Sequence, residues 1–252
     1  MTFHRALAAA VGFLAAPLFT LHVEAADLKV FESNALKTVM DQLAPQFEKA
    51  NESKLVMTVG TTAELRGKIE KGESFDVAIF TKSALDDLAK QGKVAAEPLV
   101  PIARVGIGAA VRKGAAKPDI STAEAFKHAM LSAASVGFVK QTPTAANMKV
   151  VFEKLGITDQ MQSKIKLLDV VVSEAVSKGE VEIGLTQMSE IVPYAGVIEA
   201  LGPLPADIQT NTVFGAGVAA ATNNRDTAAA LVKFLTSPPV AAVLKANGMD
   251  PS

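Results

Sequence analysis

The chain has 252 residues, no cysteine, 25 Lys and Arg against 26 Asp and Glu, and a formal net charge of −1. Without cysteine there is no disulfide, no thiolate metal site, no cysteine nucleophile and no lipid-modified N-terminal cysteine. Near-neutral charge with scattered lysines leaves no electrostatic footprint for nucleic acid or for an anionic membrane.

Residues 1–25 read as an export signal: His4 and Arg5 make a basic start, Ala6 to Leu21 an apolar run, and Val23-Glu24-Ala25 a small-residue cleavage site. The run is shorter than the roughly 20 residues a bilayer-spanning helix needs. No later segment is apolar for long enough, so the mature chain is expected free in the periplasm without membrane insertion. Its length of about 225 residues allows one large domain or two small ones.

Short β-branched strands then alternate with amphipathic helices, which predicts an α/β fold with parallel sheets covered by helices. Strands are expected over 28–31, 55–59, 77–80, 105–111, 136–138, 166–170, 183–185 and 212–220, and helices over 36–48, 64–71, 84–91, 123–133, 145–155 and 172–178. A long helix over 227–246 carries a break or kink at Pro238-Pro239. The stretches 105–111 and 212–220 are unusually rich in glycine. Either they approach another backbone closely and cross between two lobes, or they are tightly packed central strands of one sheet.

Two early strands run straight into short polar loops that open helices, Glu32-Ser33-Asn34-Ala35 and Gly60-Thr61-Thr62-Ala63. Capping of the next helix by Ser33 or Asn34, and by Thr61 or Thr62, is the commoner role for such residues. Two such loops in sequential βα units also reach the same carboxyl edge of a parallel sheet, where ligands sit. Free N–H groups and partial positive charge at helix N-termini then suit a small anion.

Among the five arginines, Arg66 lies one turn beyond Thr62 and Arg104 opens the first glycine-rich strand. A guanidinium grips a carboxylate bidentately, although an ion pair of Arg66 with Glu70 is an equal alternative. Farther on, the loop from Lys140 through Thr142 to Thr144 is the second candidate wall, with Thr144 as an alternative N-cap. Asp169 and the strand end at Thr186-Gln187 complete it.

Enzyme constellations are sparse. His128 is the single histidine after the signal, and there is no Gly-x-Ser-x-Gly elbow, no phosphate-binding lysine loop and no clustered metal site. Proton transfer by a loop carboxylate or lysine is left open, with Glu32, Asp169 and Lys140 as the candidates.

The stretches Leu28 to Leu36, Gly60-Thr61-Thr62-Ala63-Glu64-Leu65-Arg66, Ile69 to Gly72, Phe75-Asp76-Val77-Ala78-Ile79 and Phe234-Leu235-Thr236-Ser237-Pro238 resemble the periplasmic solute-binding proteins of the molybdate-binding type. The resemblance implies a type II two-lobed binding-protein fold, each lobe a mixed, mostly parallel sheet flanked by helices, with two crossing strands. Residues 26–108 with 214–252 would form one lobe and 109–213 the other. It also implies a monomer without metal or cofactor that hands a small anion to an inner-membrane ABC permease.

Members that bind molybdate use serine hydroxyls and N–H groups of the two early loops with a tyrosine from the second lobe. Here the first serine position holds Ala35, the second Thr62, and the tyrosine position falls near Gln187. The Asn-Ala and Gly-Thr-x-x-Glu-Leu-Arg pattern is similar to a branch that includes a periplasmic aconitate isomerase, for which Arg66 and Arg104 would clamp carboxylates beside Glu32 or Lys140.

Overall fold

A computed structural model describes residues 27–252, so the export signal read over residues 1–25 lies outside the described residues. The strands β1 (Leu28–Ser33), β2 (Leu55–Gly60) and β3 (Val77–Thr81) are joined through α1 (Lys37–Asn51) and α2 (Thr62–Glu70). Helical crossovers of this kind make neighbouring strands parallel, and β1 lies between the other two with Ser33 opposite Gly60. Both loops that follow therefore leave the sheet side by side.

After α3 (Lys82–Lys90) comes β4 (Val94–Arg112), a strand of 19 residues. It leads to α4 (Ala123–Ser132), β5 (Val136–Val139), α5 (Pro143–Lys154), α6 (Thr158–Gln162), β6 (Ile165–Leu168), α7 (Val172–Lys178), β7 (Ile183–Gln187) and β8 (Ile198–Pro203). Here β5 runs parallel to both β6 and β7. The chain returns through β9 (Asn211–Ala219), α8 (Arg225–Phe234), α9 (Pro238–Ala246) and the short β10 (Asp250–Pro251).

The strand order is β2-β1-β3-β9-β4-β7-β5-β6, with β8 and β10 also on β4. β4 serves both halves: it pairs with β9 as far as Gly106, then with β7 from Ile107 onward. One core gathers Leu28, Leu43, Phe47, Phe214 and Leu231 on the first half, and another gathers Phe126, Met130, Phe152 and Leu185 on the second. Separate cores on either side of a shared strand make this a two-lobed α/β fold.

The first crossing strand begins eleven residues earlier than the sequence pattern indicates, at Val94 instead of Val105. Proline is unusual inside a strand, and irregularities in the pairing with β9 between Val94 and Leu99 and between Pro101 and Ala103 accommodate Pro98 and Pro101. β8 was hidden for a similar reason, since Leu201-Gly202-Pro203 looks like a turn. The expected long C-terminal helix is two helices bent by 61°. Pro238 and Pro239 open α9, where a missing N–H costs nothing.

Close approach explains the glycines of the crossing region. A Cβ on Gly215 would lie 2.6 Å from the carbonyl oxygen of Val100, so the two backbones meet there without room for a side chain. At the passage between lobes, the Gln209 amide accepts from the Ile107 N–H at 2.9 Å and donates to the Ile107 carbonyl at 2.8 Å. It thereby pairs with β4 as a neighbouring strand would, and ties the outgoing connection to the returning one.

Candidate functional site

The loops from both halves meet at a cleft of about 180 Å³. Its first wall is Ser33, Asn34 and Ala35 after β1, with Thr61 and Thr62 after β2. Thr61 rather than Thr62 caps α2, its hydroxyl accepting from the Glu64 N–H at 3.2 Å. That leaves the Thr62 hydroxyl for the cleft. Ser33 precedes a short 3-10 turn, Asn34–Leu36, and closes no cap with its side chain.

The second wall comes from three strand ends of the other half: Gln141 to Thr144 after β5, Asp169 to Val171 after β6, and Thr186, Gln187 and Glu190 at and after β7. Thr142 is the N-cap of α5, accepting from the Ala145 N–H at 3.3 Å while donating to the Val139 carbonyl at 2.8 Å. The cap is therefore not Thr144, which is buried in the first turn and lines the cleft. Gln141 holds φ at 57°, a left-handed conformation that costs a residue with a side chain on the order of 1 kcal/mol and is found at functional loops.

Among the described residues no lysine or arginine lines this cleft, whereas Glu64, Asp169 and Glu190 do. Two of the three acids are offset. Asp169 forms an ion pair with Lys140, which stands outside the lining. Glu190 sits where burial pushes its carboxyl up, against the Thr186 hydroxyl that donates to it at 2.5 Å and the backbone N–H of Gln187. Glu64 stays at the exposed rim.

The positive end of the site is backbone. α2 and α5 both present their N-termini to it, and hydroxyls stand beside them, a combination that attracts anions without a charged side chain.

The structure thus brings Ser33, Asn34, Ala35, Thr61, Thr62, Thr142, Thr144, Asp169 and Gln187 to one cleft. Four other candidates are elsewhere. Arg66 points along α2 toward α3, with Nε on Glu70 at 2.8 Å and an Nη on Asp87 at 3.0 Å. Arg104 is exposed on β4 beside Val213 and Asp250, and Lys140 is spent on Asp169. Alternation along β1 sends Glu32 to the face opposite Ser33. There it is 1% exposed with Oε1 unpartnered, and burial followed by nearby Asp41 raises its carboxyl to about 8 against the pull of Lys37.

Glu190, Gln141 and Phe214 also line the cleft without having stood out in the sequence. Glu190 follows a strand end by three residues, and only tertiary burial gives its carboxyl any special character. Phe214, on the returning strand, had the signal of a core residue and is one, 1% exposed, with an edge in the cleft floor.

Fold and site together define a two-lobed binding protein whose cleft is lined by strand-end loops. The chain belongs to the bacterial extracellular solute-binding protein family, which it matches over residues 28–250. It is 28% identical to an aconitate isomerase from a Pseudomonas species over 230 residues, 89% of this chain and 87% of that protein. It is 26% identical to the molybdate-binding protein ModA of Azotobacter vinelandii over 93% of this chain and 94% of that one. The structure of the periplasmic molybdate-binding protein of Azotobacter vinelandii superposes with a TM-score of 0.76 at 21% identity, covering 88% of this chain and 98% of that chain.

Proposed function

We propose that the chain is a periplasmic receptor that captures a small anion, an oxyanion or an organic carboxylate, and presents it to an inner-membrane ABC permease. The observation that carries this reading is the convergence of Ser33, Thr62 and Thr144 with the N-termini of α2 and α5 on one cleft. In this reading residues 26–108 with 214–252 act as one lobe and 109–213 as the other, and Gln209 ties the two connections between them at Ile107. An anion touching both walls favours the closed state by its differential affinity, and closure is the signal a permease reads.

The test is titration calorimetry of Thr62→Ala against molybdate, sulfate, citrate and cis- and trans-aconitate. Loss of one hydroxyl donor to an anion is expected to weaken the ligand that binds by about tenfold. Unchanged affinity for that ligand would place the site elsewhere.

A second reading, a cofactor-free aconitate isomerase, is favoured by one specific observation and by the relative of that activity. Burial raises the pKa of the Glu190 carboxyl on the cleft wall. Isomerisation removes a proton from one carbon and returns it to another, so the carboxyl takes the proton as its carboxylate and gives it back as the acid; a raised pKa makes it the stronger base for the first step. Glu32 and Lys140 do not line the cleft, Asp169 is paired with Lys140 and Glu64 lies at the exposed rim, which leaves Glu190 for the role. Absorbance of the conjugated double bond reports turnover directly; no change with either isomer removes this reading and leaves the receptor standing.

A further inference from the structure

We propose that a side pocket off the cleft is a carboxylate subsite, so that the captured anion carries at least two carboxylates. The inference rests on the cleft reading above and names the class of its ligand. The main cleft has a volume of about 180 Å³. Beside it lies a cavity of about 50 Å³ that shares Asn34, Val171 and Glu190 with the cleft. The two cavities are therefore neighbours on the same side chains.

Lys37 and Thr38 of α1 line the side pocket from the first lobe, and Ser173, Ser189 and Tyr194 line it from the second. Ser189 is 3% exposed, and its Oγ has no partner among the described residues. A buried hydroxyl is costly unless something entering the cavity bonds it. Lys37 is the only cation among the described residues that line either cavity. Its ammonium makes one contact, to Asp41 at 2.6 Å, which leaves two of its three donors available.

The two oxygens of a carboxylate suit the ammonium, the phenol and the serine hydroxyl that line this cavity. Glu190 borders both cavities, and the raised pKa that burial gives its carboxyl lessens its repulsion of a carboxylate. Because the subsite takes its donors from both lobes, the second carboxylate also adds to closure.

Calorimetry on the mature chain decides this, with citrate and tricarballylate against sulfate and acetate, on wild type, Lys37→Met and Ser189→Ala. Wild type is expected to bind a tricarboxylate more tightly than sulfate. Lys37→Met should weaken the tricarboxylates by about tenfold while leaving sulfate about where it was, and Ser189→Ala should act in the same direction by a smaller factor. Tighter binding of sulfate by wild type, tricarboxylate affinity indifferent to both substitutions, or an equal loss for every anion overturns the subsite. If anion binding then still responds to Thr62→Ala, the receptor reading survives it; if wild type takes up no anion at all, both fall.

Discussion

On the first wall Ser33, Asn34 and Thr62 sit at the ends of parallel strands, and the one acid in that lining, Glu64, lies at the rim. The second wall carries Asp169, paired with Lys140, the half-buried Glu190 and the left-handed Gln141. Both walls use the strand-loop-helix device, but one offers dipoles and hydroxyls and the other adds titratable groups. Both walls therefore carry donors for negative charge, while the titratable groups that would make its capture depend on pH stand mostly on the second. A raised carboxyl stands near each wall, and their placement separates them: Glu32 is buried behind the first, whereas Glu190 faces the cleft.

That separation is open to direct attack. The folded protein holds a proton on Glu32 up to about 8, whereas the carboxyl in the unfolded chain releases it near 4.5. Between those values the native state binds more protons than the unfolded state, so stability falls as pH rises, by on the order of 4 kcal/mol for this group. Urea denaturation near pH 5 and pH 8 should show the loss in wild type and a flattened dependence in Glu32→Gln. An identical slope in both proteins would remove Glu32 from this role.

For Glu190 the expected change is in binding. Its carboxyl is raised by burial, so anion affinity should fall as pH rises and the group ionises beside the ligand. Glu190→Gln should keep affinity nearly constant over the same pH range, and Glu32→Gln should retain the wild-type profile of affinity. If the two substitutions exchange effects, the assignment of stability to one wall and titration to the other is wrong.

A smaller effect tests the second wall as a built loop. Thr142→Ala removes the cap of α5 and the bond to Val139, with an expected cost of about 1 kcal/mol in thermal or urea unfolding. Affinity should fall too, since the same loop carries Thr144 into the cleft. Stability lost with affinity intact would detach this loop from the ligand. Arg66→Met is expected to do least: its ion pairs with Glu70 and Asp87 are partly exposed, worth under about 1 kcal/mol, and affinity should not move. A large affinity loss would restore the arginine clamp that the geometry removes.

The site was legible where local chain chemistry dictates geometry. Ser33 and Thr62 follow apolar strands in consecutive βα units, and parallel pairing with Ser33 opposite Gly60 leaves their loops no choice of edge. Arg66 shows the limit, because its position one turn after Thr62 was correctly read but Asp87 is recruited from another helix. Glu32 had the sequence position of a cleft residue, yet the two-residue period of β1 turns it the other way. Pro98 and Pro101 hid half of β4, since tolerance of proline depends on which partner strand lies beside it.

By itself the sequence determined the alternation of strands and helices, the polar loops at two early strand ends and the glycines that admit close backbones, because periodicity and backbone conformation act over a few residues. Tertiary structure decided which charges face the ligand, which acid is stripped of water, and that Lys37 and Ser189 from separate lobes border one cavity. Burial and charge neighbourhood arise only when distant segments pack, and no local pattern encodes them.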